Sequence, residues 1–311
     1  MSKLDAATNV LVSRFRRQRP LRGGSLIVTI FGDAIAPRGG AVTLGSLIAL
    51  AQPFGLTERL VRTSVARLAQ QGLLVARREG RLSEYRLSEH GRSSFADATR
   101  RIYAAAPADW NGSWTLVLLQ PVKASTRERL RKELEWLGFG EAAPGIFAHP
   151  ARSASDAREQ LSGLKSAMAA IVLEARNDSP ESDRRFASAG WDLTELAARY
   201  RRLIGMFDPI SAALKASEPQ PHTAFIIRTL LVHEYRKIHL RDPMLPPSLL
   251  PPDWIGADAY ELCRSLYSEL FGAAEEYLSQ TGVRLAGPLP TVEPGTFDRF
   301  GGLNGGARRR R

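Results

Sequence analysis

Thirty residues near the N-terminus, TLGSLIALAQPFGLTERLVRTSVARLAQQG (43–72), constrain the chain more than any other stretch. The apolar run after Thr43 has helical character, but Pro53 and Gly55 break it, and a second helical segment begins within about four residues. Thr57 is placed to cap that second helix by accepting a backbone N–H bond, Glu58 complements the positive end of its dipole, and Gly72 marks its end. At about 100° per residue, Val61, Val65 and Leu68 fall on one stripe that can face a core. The opposite face carries Arg59, Thr63, Ala66 and Gln70, flanked by Arg62 and Arg67. A solvated helix face explains such residues taken alone; a helix that enters a nucleic-acid groove also needs long donors separated by short side chains.

The residues after Gly72 favour the groove. The stretch LLVARREGRLSEYRLSEHG places a turn at Glu79–Arg81 between two strand-prone runs, a hairpin whose tip presents Arg77, Arg78 and Arg81. A basic helix and a basic hairpin in succession have the form of a winged helix, with helix residues reading base edges and hairpin residues reaching phosphates. The charge distribution agrees. Residues 1–105 hold 17 Lys and Arg against 7 Asp and Glu, a net +10, whereas the formal excess of the whole chain is +11. An anionic partner for the first third is therefore expected. Duplex DNA fits better than a membrane surface, because the basic residues interleave with a fold pattern and lack an aromatic amphipathic anchor. Two further basic clusters, Arg14–Arg22 and Arg308–Arg311, lie outside the helix and hairpin.

The remaining chain reads as two more domains. The segment SLIVTIFGDAIAP predicts a first helix of the N-terminal domain (20–106), and SSFADATRRIYAAA a closing one before a linker at Pro107. Strand WTLVLLQ, helix TRERLRKELEWLGFG, strand GIFAHP, helix 154–166 and strand MAAIVLEA then suggest a small ferredoxin-like domain over 107–178. RNDSPESDRR reads as a polar loop. Helices 193–214, 224–238 and 257–280 predict a helical C-terminal domain (190–285), interrupted by HLRDPMLPPSLLPPDW, whose prolines favour an extended crossing. Residues 286–311, rich in Gly and Pro, read as an irregular tail. The fold class expected is thus α+β and multidomain.

Catalytic motifs are missing. There is no H-E-x-x-H, no G-x-S-x-G and no G-x-x-x-x-G-K-[ST], and His233 and His239 stand six apart, off one helical face. The single cysteine, Cys263, sits among periodic apolar residues; it forms no internal disulfide and builds no multi-cysteine zinc site, as expected for a cytoplasmic protein. Neither a secretion signal nor a membrane-spanning run of about 18 apolar residues is read. One segment, 231–254, gathers His233, Arg236, Lys237, His239, Arg241 and Trp254 beside rigid prolines. It suits a phosphorylated ligand bearing a flat group, and equally a charged interdomain strap.

Four stretches, GDAIAPRGG, GSLIALAQPFGLTERLVRTSVARLAQQGLL, HEYRKIHLRDPMLPPSLLPPDW and FDRFGGLN, resemble the PaaX-type repressors of phenylacetic-acid catabolism. The resemblance runs from about residue 24 to residue 304. It implies a winged helix, a middle domain similar to a CRISPR-associated nuclease, a helical C-terminal domain, and a homodimer on an inverted-repeat operator of double-stranded DNA. It further implies release from DNA by phenylacetyl-coenzyme A or a related aryl-acyl thioester; no other cofactor and no metal are expected. The DNA-reading role falls on Arg59, Arg62, Thr63 and Arg67 and the wing role on Arg77, Arg78 and Arg81; His233, Arg236, Arg241 and Trp254 are the candidates for the effector. Where the nuclease-like fold would carry a metal-binding acid after its first strand, this chain has Gln120 and Pro121. A metal-dependent nuclease, a thioester-acting enzyme and an effector-independent DNA-binding adaptor are the rival readings.

Overall fold

The computed structural model describes residues 2–18, 23–104, 110–162 and 170–303. The chain opens with helix α1 (Lys3–Arg16), which the basic lead concealed, and α2 (Gly23–Ile30). A π-helical turn (Phe31–Ile35) and a 3-10 turn (Ala36–Arg38) come next, ending where Pro37 removes a backbone donor and Gly39 turns left-handed at φ 81°. Strand β1 (Ala41–Thr43) leads into α3 (Leu44–Ala51), and a 3-10 turn (Gln52–Phe54) into α4 (Glu58–Gln70). Gly55, at φ 78°, makes the break that Pro53 starts. Strands β2 (Leu74–Glu79) and β3 (Leu82–Leu87) form the expected hairpin, and α5 (Glu89–Tyr103) succeeds it.

Beyond α5 come β4 (Trp114–Leu119), α6 (Ala124–Trp136), β5 (Gly140–Ala143), β6 (Ile146–His149), α7 (Ala154–Ser162) and β7 (Ala170–Ala175). Helices α8 (Pro180–Gly190), α9 (Leu193–Leu214), α10 (Pro221–His239) and α11 (Ile255–Thr281) precede a small ribbon, β8 (Val283–Arg284) with β9 (Gly287–Pro288), and a 3-10 segment (Pro294–Gly301). Helix α8 replaces the expected polar loop. Ser179 accepts from the Ser182 N–H, Pro180 fills the first turn, and Glu181 and Asp183 face the positive helix end, so a polar stretch is capped into a helix. The ribbon and 3-10 segment likewise give form to part of the expected irregular tail. The linker at Pro107, the end of the helix expected to reach Ser166, and Arg308–Arg311 lie outside the described residues.

Two compact units result, one of 1–105, 200–240 and 257–311, the other of 106–199 and 241–256. The helices expected over 190–285 are thus divided between them. In the first unit the sheet order is β1-β3-β2, antiparallel throughout. Helix α10 is its centre. It is buried on nearly every side from Thr223 to His239, the polar Arg228, Thr229, His233 and His239 included, and packs against α1, α2 and α5.

The second unit has the order β-α-β-β-α-β with a four-stranded antiparallel sheet, β5-β6-β4-β7. On one face Val117, Phe147, Leu130, Leu134 and Leu161 form a core; on the other Trp114 and Ala148 pack with Ala187, Leu245 and Leu249. The proline-rich strap therefore covers a sheet face. Trp114 also anchors α8 to this face, donating from Nε1 to Asp183 at 2.7 Å and meeting Phe186 edge-on.

Candidate nucleic-acid interface

Helix α4 packs on α2 and α3 through Val61, Ser64, Val65 and Leu68, all buried. This is the stripe read from the helical spacing, and its burial turns the basic face outward. Arg59, Arg62, Thr63, Ala66, Arg67 and Gln70 lie on the opposite side, with Arg59, Arg62, Thr63, Ala66 and Arg67 exposed and Gln70 exposed at the end of the helix. Two of them are already engaged. Glu58 accepts from Arg62 Nε at 2.8 Å, and the Thr63 hydroxyl donates to the Arg59 carbonyl at 2.8 Å, the usual helical back-bond. Among the described residues Arg59 and Arg67 have no acidic partner, so their cations face solvent undiminished.

The hairpin leaves α4 through Gly72, at φ 72°, and turns at Gly80, at φ 57°, the left-handed backbone that a two-residue turn opposite the Glu79–Leu82 pair requires. Arg77, Arg78 and Arg81 are exposed. Alternation along a strand sends Arg77 and Arg78 to opposite faces of the hairpin, and Arg77 lies 3.8 Å from Glu79. At its base stands a group the sequence reading missed. Glu84, 3 % exposed, accepts from the Leu285 N–H at 2.7 Å and from Arg86 at 3.1 Å. Burial alone would raise its carboxyl, but the Leu285 amide and the Arg86 guanidinium outweigh it and hold the group below the ordinary glutamate range. The tail is thereby bonded to the hairpin.

A second missed group lies beneath the helices. The π-helical turn aims Asp33 inward, where Oδ1 accepts from the Tyr103 and Tyr267 hydroxyls, each at 2.7 Å, and from Arg299 at 2.9 Å, while Oδ2 accepts from Arg228 Nε at 2.9 Å. Arg228 also reaches Glu275 at 2.7 Å, and Arg38 pairs with the same carboxylate. Burial penalises the Asp33 charge most, yet Arg228, Arg299 and the two phenols overcome it and depress the carboxyl below its usual value. The signal was present: Asp33 and Arg38 belong to GDAIAPRGG and Arg299 to FDRFGG, two of the motifs that carried the resemblance.

The effector candidates fall into two pairs. On α10, His233 shares its Nδ1 with the Thr29 hydroxyl at 3.0 Å and packs edge-on against Phe15. Arg236 donates to Thr29 Oγ1, Ser25 O and Ser25 Oγ at 2.7–2.8 Å. Both hold α10 to α2. Arg241 and Trp254 belong to the other unit, Arg241 exposed and Trp254 packed against the Trp114 cluster. Cys263 is buried, which pushes its thiol well above the ordinary range. Gln120 is exposed just after β4, and no group of three His, Cys, Asp or Glu among the described residues is placed to hold a metal. No described helix is long and apolar enough to cross a membrane.

Known proteins match along the same segments. Residues 22–91 match the model of PaaX-like proteins, 107–187 that of the PaaX protein central Cas2-like domain, and 191–280 that of the PaaX-like protein C-terminal domain. The transcriptional repressor PaaX of Escherichia coli K12 is 38 % identical over 309 residues, covering 98 % of this chain and 96 % of that protein. In fold alone, the chain is similar to the uncharacterized protein Rv0674 from Mycobacterium tuberculosis, with a TM-score of 0.50 and 24 % identity over 75 % of this chain and 89 % of the other. Three consecutive models and a relative that spans almost the full length place the chain in the PaaX family.

Proposed function

We propose that this protein is a cytoplasmic transcriptional repressor that binds duplex DNA through a winged helix made by α2–α5 and the β1-β3-β2 sheet, with α4 as the recognition helix. The observation that carries the reading is the outward basic face of α4, fixed by the burial of Val61, Ser64, Val65 and Leu68 and joined directly to the arginine-bearing hairpin. In this arrangement Arg59, Arg62, Thr63 and Arg67 enter the major groove and Arg77, Arg78 and Arg81 serve the flanking phosphates. Phosphate contacts supply affinity that falls steeply with salt, and a bidentate arginine on guanine supplies roughly 1–3 kcal/mol of sequence preference. The name of the Escherichia coli relative supports the repressor role.

The second unit, with its β-α-β-β-α-β order, is taken as the ferredoxin-like middle domain of a homodimer that places two recognition helices about one DNA turn apart on an inverted repeat. Phenylacetyl-coenzyme A or a related aryl-acetyl thioester would release the protein from DNA. For that it must bind the DNA-incompetent arrangement more tightly, since a ligand with equal affinity for both arrangements shifts nothing. Because His233 Nδ1 and the Arg236 guanidinium bond to α2, these two residues couple α10 to the DNA-binding helices, and the exposed Arg241 is the cation for a ligand phosphate.

The test is a gel-shift titration on the gene's own upstream region, with and without aryl-acetyl thioesters and with divalent metal in a parallel lane. A salt-sensitive, sequence-selective complex that the thioester dissolves is expected. Binding that ignores the thioester would establish the adaptor reading, and cleavage or turnover an enzyme.

A further inference from the structure

The basic lead has no part in the recognition helix or the hairpin, and its described residues, 14–18, lie at the end of α1. Along this helix of about 20 Å the charges are polarised, with Asp5 in the capping box at the start and Arg14, Arg16 and the C-cap residue Arg17 at the end. The arginine end is fastened to the turn that precedes the recognition helix. Arg16 donates to the Pro53 carbonyl at 3.1 Å, its side chain lies over Gly55, and Phe15 meets Phe54 edge-on with ring centroids 6.4 Å apart. Directly after Gly55 stand Leu56 and Thr57, the N-cap of α4. Arg14 and Arg17 are three apart, with Arg17 still in helical backbone, so they share one face. Both are exposed, and among the described residues neither has an acidic partner. The negative end of the helix dipole favours cations here, and two of them side by side without an acid offer a compact positive site that phosphates can neutralise.

We infer that the C-terminal end of α1 is a second, sequence-independent DNA contact, a phosphate clamp in which Arg14 and Arg17 grip the backbone at the groove edge that the α4 N-terminus enters. This rests on the proposal that α4 reads DNA. In helix-turn-helix docking the N-terminal residues of the recognition helix reach the bases, while the helix before it crosses the sugar-phosphate backbone. Any element fixed to the turn at 52–55 therefore comes to the phosphates with it. Arg16 orients the clamp by its bond to Pro53, and Arg14 and Arg17 supply the charge.

The experiment measures the affinity of the full chain for the upstream duplex and for an unrelated duplex from about 50 to about 300 mM salt, a range over which phosphate binding changes by orders of magnitude. Wild type is compared with Arg14→Gln/Arg17→Gln, Arg14→Lys/Arg17→Lys and Arg59→Ala. The Gln pair is expected to weaken binding to both duplexes by the same factor and to make the log–log salt slope shallower by about 2, since each phosphate that an arginine neutralises adds about 0.9 to the slope. The Lys pair should keep the wild-type slope, because a phosphate contact reads charge, and the melting temperature of all variants should stay at the wild-type value. An unchanged slope in the Gln pair, a loss confined to the upstream duplex, or a Lys pair that behaves like the Gln pair would overturn the clamp. If Arg59→Ala loses selectivity while the Gln pair binds as wild type, the clamp alone falls; if wild type binds neither duplex, the proposed function falls with it.

Discussion

Asp33→Asn tests how the first unit is held together. The substitution keeps shape and one acceptor but removes the charge from a carboxylate that is 3 % exposed and bonded to Arg228, Arg299, Tyr103 and Tyr267. Arg38 and Arg228 would then share a single carboxylate, Glu275, which is itself partly exposed, and Arg299 would lose its acidic partner. Leaving a buried charge without its partner costs about 3–5 kcal/mol, a large part of the roughly 5–15 kcal/mol that holds a folded protein together. Urea unfolding read by circular dichroism should show the midpoint falling with little change in slope. The companion Arg228→Met is expected to be costly alone, but Asp33→Asn/Arg228→Met should lose less than the sum of the two, because a matched pair leaves together. A loss under about 1 kcal/mol for Asp33→Asn, or strict additivity in the double variant, would refute the idea that this carboxylate is the counter-charge of the cluster.

The interface and two histidines give further expected outcomes. Arg62→Ala should weaken binding to the upstream duplex more than to bulk DNA in competition gel shifts; an equal loss on both would make Arg62 a phosphate contact only. Glu58→Gln removes the acid that holds Arg62 at 2.8 Å, so nonspecific affinity should rise a few-fold at low salt while selectivity falls, which fluorescence anisotropy on two duplexes would separate. His239 and His149 are each held down to about 4, mainly by burial and further by the charge of a nearby arginine; His149 Nδ1 also accepts the N–H groups of Ala151 and Arg152. The unfolded chain takes up these protons below about 6.5 and the folded chain only near 4, so stability is lost as pH falls through that window, by roughly 3 kcal/mol for each group at full effect. Thermal melts from about pH 7 to about pH 4.5 would check it, and His239→Gln should flatten the fall.

The sequence carried the local architecture of α3, the turn, α4 and the hairpin because every determinant is within a few residues: Thr43 and Thr57 as caps, Pro53 and Gly55 as the break, Gly80 as the turn. Helix α9 was legible for the same reason, its apolar spacing running unbroken. α1 and α8 were not. In α1 the buried residues Leu4, Thr8, Leu11, Val12 and Phe15 have the right spacing, but a run of arginines at its end drew the reading toward a charged lead. In α8 a short polar stretch gained its helix from capping and from packing Ala187 and Phe186 against Trp114.

Composition and spacing by themselves determined which face of α4 is apolar, that the charge excess lies in the first third, and which four stretches carry the family resemblance. Only the tertiary structure decided that Asp33 meets Arg299 across 266 positions, that Arg236 spends its donors on α2, and that α1 ends against the turn before the recognition helix. The physical reason is range. A cap, a break or a helical stripe is written in neighbours a few residues apart, whereas a buried charge takes whatever partner the packing brings to it, at a sequence distance that no local pattern records.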